Sequence, residues 1–456
     1  MEKVIFLLIF VLSFVSCHAE TGIDSALKKM RETNCYMGSA VSEAGEMPEQ
    51  YELYETVRDT ATTKQLEKLL SDKNGVIRAY AIQALVERDE KIDYDKIALD
   101  SLSDTEKIET MFGCIVSDER VGDIFLEKLE GKISQKTKDE IDMRLLKNKS
   151  PLIHALELLH GDKKSEELYA LTRKWALDGN GNAIFALAKY KKKEDYDLIL
   201  SLKDKKEKIL FFKACPYILN DSLKPFFSEY MDSILPSNYY GAEWRSFYKS
   251  LVMFEDDFSK SELRKVFSSR TNRNIRKYHL AFIADALGSY NDGFYDDILF
   301  EMWEKYDAMN LDIAENLYGH DKKRALSCMV LTLNNADEYF SKTDTLSFSI
   351  ETLLNEKYDI RKIFIKKLPR LSISVFDEFF KQIRRFADDD VDEALLRRLK
   401  TEQNGYVALP IYDYLLSKKN PIVTEQVRKI YEKNKPLYKD WEEQGARKAL
   451  EKWGAL

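Results

Sequence analysis

Proline and glycine are scarce in this chain, nine and seventeen residues out of 456. So few breakers and turn formers argue against a β-sandwich or a disordered chain and favour long helices. Basic charge is short as well, because 71 Lys and Arg stand against 78 Asp and Glu for a net charge of -7. Without a basic face to displace counterions from phosphate, general nucleic-acid binding is not expected. The usual catalytic signatures are missing too. There is no G-x-S-x-G, H-E-x-x-H, C-x-x-C, P-loop or G-x-G-x-x-G pattern, so no catalytic residue, metal ligand or cofactor is assigned. His154 and His160 are six apart and point to different faces of a helix, unlike the four-residue spacing of a ligand pair. The acidic runs Glu255-Asp256-Asp257 and Asp388-Asp389-Asp390 lack the alternating ligands and glycine of a calcium loop, and are read as helix caps or solvated turns.

What the chain does have is a recurring pattern. Ile77, Arg78, Ala81, Ala84 and Leu85 reappear in type as Ile275, Arg276, His279, Phe282 and Ile283. The apolar skeleton returns again at Val407, Ile411, Tyr414 and Leu415. The offsets, 198 and 330 residues, are multiples of 33, and Asn74-Gly75 and Asn404-Gly405 open the first and last copies. Apolar positions at i, i+4, i+7 and i+8 line one face of a helix. In the first copy a stretch ending at Leu69-Leu70, a polar turn Ser71 to Gly75 and this second helix make a helical hairpin. The same four slots fit Ile108, Phe112, Ile115 and Val116, then Gly179, Ala183, Ala186 and Leu187, then Leu210, Ala214, Tyr217 and Ile218. His279 occupies one of these slots and is read as a hydrogen-bonded core ring.

Leu69-Leu70-x-Asp72 followed by Ile77-Arg78-x-x-Ala81-x-x-Ala84-Leu85 resembles the HEAT repeat, especially its short bacterial form, the PBS-lyase-like repeat. The resemblance implies an all-α protein, an α-α superhelix or solenoid of hairpins, with residues of the Asp72 and Arg78 type bridging adjacent turns. The expected organisation is a signal peptide over 1–16, a mature N-terminus and cap over 17–61 and HEAT-like repeats over 62–307. An irregular layer or insertion over 308–345 and degenerate helical repeats with a cap over 346–456 complete it. The family includes bilin lyases, so an enzyme or ligand-transfer role is the outlying alternative to a non-catalytic one.

Met1-Glu2-Lys3 and the apolar run Val4 to Val15 read as an export signal, too short for the roughly 20 residues of a spanning helix. The run ends Phe14-Val15-Ser16-Cys17, which resembles the lipobox of bacterial lipoproteins and implies acylation of Cys17. Cleavage after Ala19 is the competing reading. Cys35, Cys114, Cys215 and Cys328 remain. Cys114 and Cys215 are about three layers apart, near 30 Å at the spacing of packed helices, and a disulfide needs Cα atoms within about 7 Å. All four are therefore expected to be small buried thiols.

Candidate contact residues follow from the helix faces. The outward positions of the first copy's second helix are Tyr80, Gln83 and Glu87. Tyr239, Tyr240 and Trp244 follow Pro236 in a loop entering a helix, where exposed aromatics anchor interfaces. Arg264, Lys265, Arg270, Arg273, Arg276 and Lys277, with Phe267 and Tyr278 between them, are the candidate anion patch. Arg78, Arg276 and Arg361 each follow a core Ile and are read as rungs of an Asp–Arg ladder. The expected function is a non-catalytic scaffold or adaptor of the bacterial cell envelope. It would be lipid-anchored facing periplasm or cell surface and would bind another protein through an extended face. An antagonist of a toxin or envelope enzyme is the alternative within binding.

Overall fold

A computed structural model describes residues 22–205, 208–336, 343–386 and 389–456. The expected export signal over 1–16 and Cys17 lie outside the described residues. The chain divides into two compact units, Met1–Ile218 and Leu219–Leu456, each built overwhelmingly from helices, so the fold class is all-α.

The helix Gly75–Glu87 shows how the repeat builds its layers. The Asn74 side chain accepts from the Ile77 N–H at 3.1 Å and satisfies one of the unpaired donors of the first turn. Ile77, Ala81, Ala84 and Leu85 are all buried, each large one contributing on the order of 2 kcal/mol of apolar burial. Gly75 is required by close approach. A Cβ there would lie 2.7 Å from Ile108 Cγ2 and 2.9 Å from Val121 Cγ2, so the next layer rests directly on the helix start. Gly405, the counterpart in the last copy, would meet the Trp441 ring at 2.4 Å.

In both units helices pack on their neighbours in sequence and on helices two further along. In the first unit Gly75–Glu87, Val121–Leu129, Ile153–His160, Gly181–Ala188 and Ile209–Ile218 form one such row, while Tyr94–Ser101, Gln135–Lys147 and Glu166–Leu177 form the other. In the second unit one row runs through Lys224–Ile234, Asp257–Arg264, Asp296–Tyr306, Lys322–Asn334, Arg361–Lys367, Asp389–Leu399 and Pro421–Asn434. Two-row packing with short-range contacts is what stacked hairpins produce. The stretch 308–345, expected as an irregular layer or insertion, contains the helices Leu311–His320 and Lys322–Asn334; residues 337–342 lie outside the description.

Polar ties register the layers. Arg78 reaches the next layer through Nε to Asp104 at 2.7 Å and Nη2 to Glu106 at 2.6 Å, while Nη1 donates to the Asp72 carbonyl at 2.7 Å. Asp72 itself pairs with Arg31 at 2.7 Å. Arg361 repeats the rung to Asp390 at 2.6 Å. Arg276 does not. Its guanidinium donates to the carbonyls of Val266, Ser268 and Thr271 instead.

The structure corrects three expectations. The segment with slots Ile108, Phe112, Ile115 and Val116 is not a helix but a hairpin of strands Lys107–Gly113 and Ile115–Arg120, joined in a three-stranded sheet by the parallel strand Cys35–Val41. Ile108 and Thr110 are buried between exposed Lys107 and Glu109, a period of two, and Gly113 supplies the positive φ of +58° at the turn. Cys114 sits in that turn and is exposed, whereas Cys35, Cys215 and Cys328 are buried as expected. The third correction is Tyr80, only 2% exposed. The strand Cys35–Val41 covers the face assigned to solvent, and the Tyr80 hydroxyl accepts from the Met37 N–H at 2.8 Å and lies 2.9 Å from the Met37 carbonyl. Gln83 accepts from Tyr36 of that strand at 2.6 Å, and Glu87 from Tyr54 of the helix Glu49–Thr60 at 2.6 Å.

Replacing Gly75 with Val should destabilise the protein by about 1–3 kcal/mol through overpacking, read as a lower urea midpoint. Gly131→Ala, where nothing lies within 4 Å of the new Cβ, should leave the midpoint in place. Equal midpoints for the parent and Gly75→Val would remove the close-approach argument.

Candidate interaction surface

The segment between helices Lys224–Ile234 and Trp244–Val252 is held at both ends before it reaches solvent. The Leu235 carbonyl accepts from the Asn272 N–H at 2.9 Å, and the Asn272 side chain donates to Asn238 Oδ1 at 2.7 Å. The Ser237 hydroxyl donates to the Tyr239 carbonyl at 2.6 Å, and Tyr230 donates to Glu243 at 2.7 Å. A loop so pinned presents its side chains with little left to order on binding. Tyr239 is 83% exposed and Tyr240 52%.

Tyr240 is backed by the next layer. Its ring stacks on Tyr278 with centroids 4.5 Å apart and planes inclined by 29°, and lies 6.2 Å from Phe282. Tyr278 and Phe282 are one turn apart on the helix Arg276–Leu287 and are both half-buried. Arg245 extends over Phe282 at 5.9 Å and Lys277 lies 5.2 Å from the Tyr278 ring. Arg245 and Lys249 share one carboxylate, Asp285, at 3.4 and 3.2 Å. The surface is thus an aromatic platform with a cationic border.

The candidate aromatics therefore separate. Trp244, placed with the two tyrosines from sequence, is 2% exposed and stacks on His279 at 4.2 Å and 17°. The reason is periodicity: Trp244, Phe247, Tyr248 and Leu251 form the buried stripe of their helix, which leaves Arg245 and Lys249 outside. Those two cations were legible in that stripe and were missed.

The candidate anion patch is likewise divided. Arg264 pairs with Asp297 and, at 3.5 Å, with Glu301. Lys265 pairs with Glu262 at 2.8 Å and Asp232 at 3.0 Å, and Arg276 is spent on the carbonyls described above. The structure thus corrects these three as anion ligands. Arg270 and Arg273 are exposed and, among the described residues, make no ion pair or side-chain hydrogen bond. Lys277 is exposed beside the platform.

Other chemistry-bearing groups are occupied or shut in. His279 is fully buried; Nδ1 lies 2.7 Å from the Tyr248 hydroxyl and Nε2 has no partner among the described residues. Burial, helped by the charge of Arg276, pushes its pKa down to about 4. His160 and His320 are bonded to Asn182 and Asp296, both at 2.9 Å, and Asp256 caps its helix by accepting from Ser259 N–H at 3.0 Å. In the first unit, clefts of about 960 and 710 Å³ share Ser71 and Asp72 in their linings, and the ion-paired Arg31 lines the first and Arg78 the second. Among the described residues no cluster of His, Cys, Asp or Glu is arranged to hold a metal, and no helix is long and apolar enough to cross a membrane.

No family model matches the chain, and no curated protein does. A crystal structure of an engineered protein aligns over 96% of both chains at 15% identity with a TM-score of 0.17, a likeness too low to carry an argument.

The buried histidine makes a pH prediction. Below the ordinary value of 6.5 the unfolded chain gains a proton that the folded chain refuses until about pH 4. Stability present above pH 6.5 should therefore fall by about 3 kcal/mol between those values. Urea titrations at stepped pH should show this loss reduced in His279→Gln. Parallel curves for parent and variant would assign the acid sensitivity elsewhere.

Proposed function

We propose that this chain is a non-catalytic protein-binding scaffold or adaptor of the bacterial cell envelope, built from HEAT-like hairpins and anchored through an acylated Cys17. The observation that carries the binding role is the pair of exposed tyrosines on a loop pinned at both ends. Exposed aromatic side chains held rigidly are the usual energetic anchors of interfaces, and stacked repeats offer a long surface around them. The envelope location rests on the apolar run Val4 to Val15 and the Val15-Ser16-Cys17 junction. Several acyl chains on one cysteine would hold the protein stably, where one alone is marginal.

The test is affinity capture from native envelopes with the parent, a Tyr239→Ala/Tyr240→Ala variant and a Cys17→Ala variant. A partner retained by the parent should be lost by roughly tenfold or more from the tyrosine variant, and Cys17→Ala should leave the membrane fraction. Retention of the same partner by the tyrosine variant removes the platform as the binding face. Membrane association of Cys17→Ala equal to the parent's removes acylation as the anchor.

A further inference from the structure

We propose that the strand Ile115–Arg120 is a docking edge, to which an extended segment of a partner protein adds as a further strand carrying an acid, a base and a β-branched apolar residue at alternate positions. This surface lies in the first unit and goes beyond the role argued for the tyrosine loop. The three-stranded sheet has two edges, and they differ. Along Cys35–Val41 the outward backbone groups are taken. Met37 N–H and C=O both bond the Tyr80 hydroxyl, at 2.8 and 2.9 Å, Gln50 donates to the Cys35 carbonyl at 3.0 Å, and Val41 exchanges bonds with Glu46 at 2.9 and 3.0 Å.

Ile115–Arg120 has no such cover among the described residues. The Val121 N–H donates to the Glu106 carbonyl at 3.0 Å, which sets the phase of the antiparallel ladder: Ile108 with Glu119, Thr110 with Ser117 and Phe112 with Ile115 are the bonded pairs. The N–H and C=O of Val116 and Asp118 therefore face away from the hairpin, and among the described residues no other group bonds them. Ile115 and Val116 are 70% and 59% exposed, and Ser117 and Asp118 are exposed too. Edge strands are ordinarily protected by lysine, proline or a bulge, and this one has none of the three.

Charge selects the occupant. Val116, Asp118 and Arg120 stand directly across from Met111, Glu109 and Lys107, on the face opposite buried Ile108 and Thr110. Each charged rung sets like beside like, and no ion pair joins the two rungs among the described residues. The open side of Asp118 thus favours a cation, that of Arg120 an acid and that of Val116 an apolar side chain, the favourable cross-strand combinations. The Arg120 charge also reaches Asp123, so Asp118 carries the larger part of the selection. A second copy of this chain fits less well, because the one antiparallel register that pairs Val116, Asp118 and Arg120 with the same three residues sets Asp118 against Asp118.

The probe is the fluorescein-labelled peptide Thr-Glu-Thr-Lys-Thr-Val-Thr, which in antiparallel pairing sets Glu against Arg120, Lys against Asp118 and Val against Val116; anisotropy follows it with the full chain. An isomer with Glu and Lys exchanged keeps the composition, and a copy N-methylated at Lys and Val lacks the donors an added strand needs. The parent should bind the peptide about fivefold or more tightly than the isomer and should not bind the methylated copy. Hydrogen exchange over 115–120 should slow in the complex. Asp118→Lys should reverse the preference; Asp118→Asn, which should lose it, replaces that variant if circular dichroism shows it unfolded. Tyr239→Ala/Tyr240→Ala should bind the peptide as the parent does. The proposal is overturned by no binding to the parent, by equal binding of the isomer or the methylated copy, by unchanged exchange, by an unchanged preference in the Asp118 variant, or by loss of the peptide from the tyrosine variant. A parent dimer in sedimentation with 115–120 protected before any peptide is added would also overturn it, giving the edge to a second copy.

Discussion

A pair of short helices has more apolar surface than it can cover by itself, and everything else in this chain follows from how that surface is covered. Ile77, Ala81 and Leu85 are buried in a helix on which Thr63–Leu69 and Val121–Leu129 pack, the strand Cys35–Val41 covers its Tyr80 face, and within each unit helices go on packing against those two further along. The cover must be close as well as apolar, which is why a glycine opens the helices at 75 and 405, where the next layer touches backbone. Charged ties then fix the register. Arg361 on Asp390 is part-exposed and contributes modestly to stability, whereas Arg78 on Asp104 is buried; both join positions about one repeat apart.

The fold class and most core slots were legible because burial imposes a period of 3.6 that survives divergence. Val407, Ile411, Tyr414 and Leu415 are as buried as their counterparts 330 residues earlier. The slot pattern failed at Ile108 to Val116, where four apolar letters met the helical template by spacing alone. The alternation of Lys107, Ile108, Glu109 and Thr110 carried the opposite period, and the Gly113 turn confirmed it in space. That sheet also explains Tyr80. A helix face counts as outward only if nothing packs on it, and the strand that does so lies some forty residues away in sequence, beyond the reach of any local pattern.

The candidate site shows the same division. The tyrosines at 239 and 240 and the Lys277-Tyr278 pair were visible as letters, but as two separate groups. The repeat brings them together, because residues one repeat apart come to lie side by side. Tyr240 meets Tyr278, Asn238 meets Asn272, and Trp244 meets His279 by one geometric rule. The rule that creates the platform also removes Trp244, Arg264, Lys265 and Arg276 from it, by supplying each with a partner from the adjacent layer or the adjoining loop.

If stability resides in neighbour-on-neighbour cover, damage to one layer must stay local. The direct measurement is native-state hydrogen exchange on the chain with Leu187, fully buried in Gly181–Ala188, replaced by Ala. Protection should fall in that helix and in Ile153–His160, Glu166–Leu177 and Ile209–Ile218, which pack on it, and hold in Glu49–Thr60. A uniform loss across the first unit would show one undivided core and contradict the account.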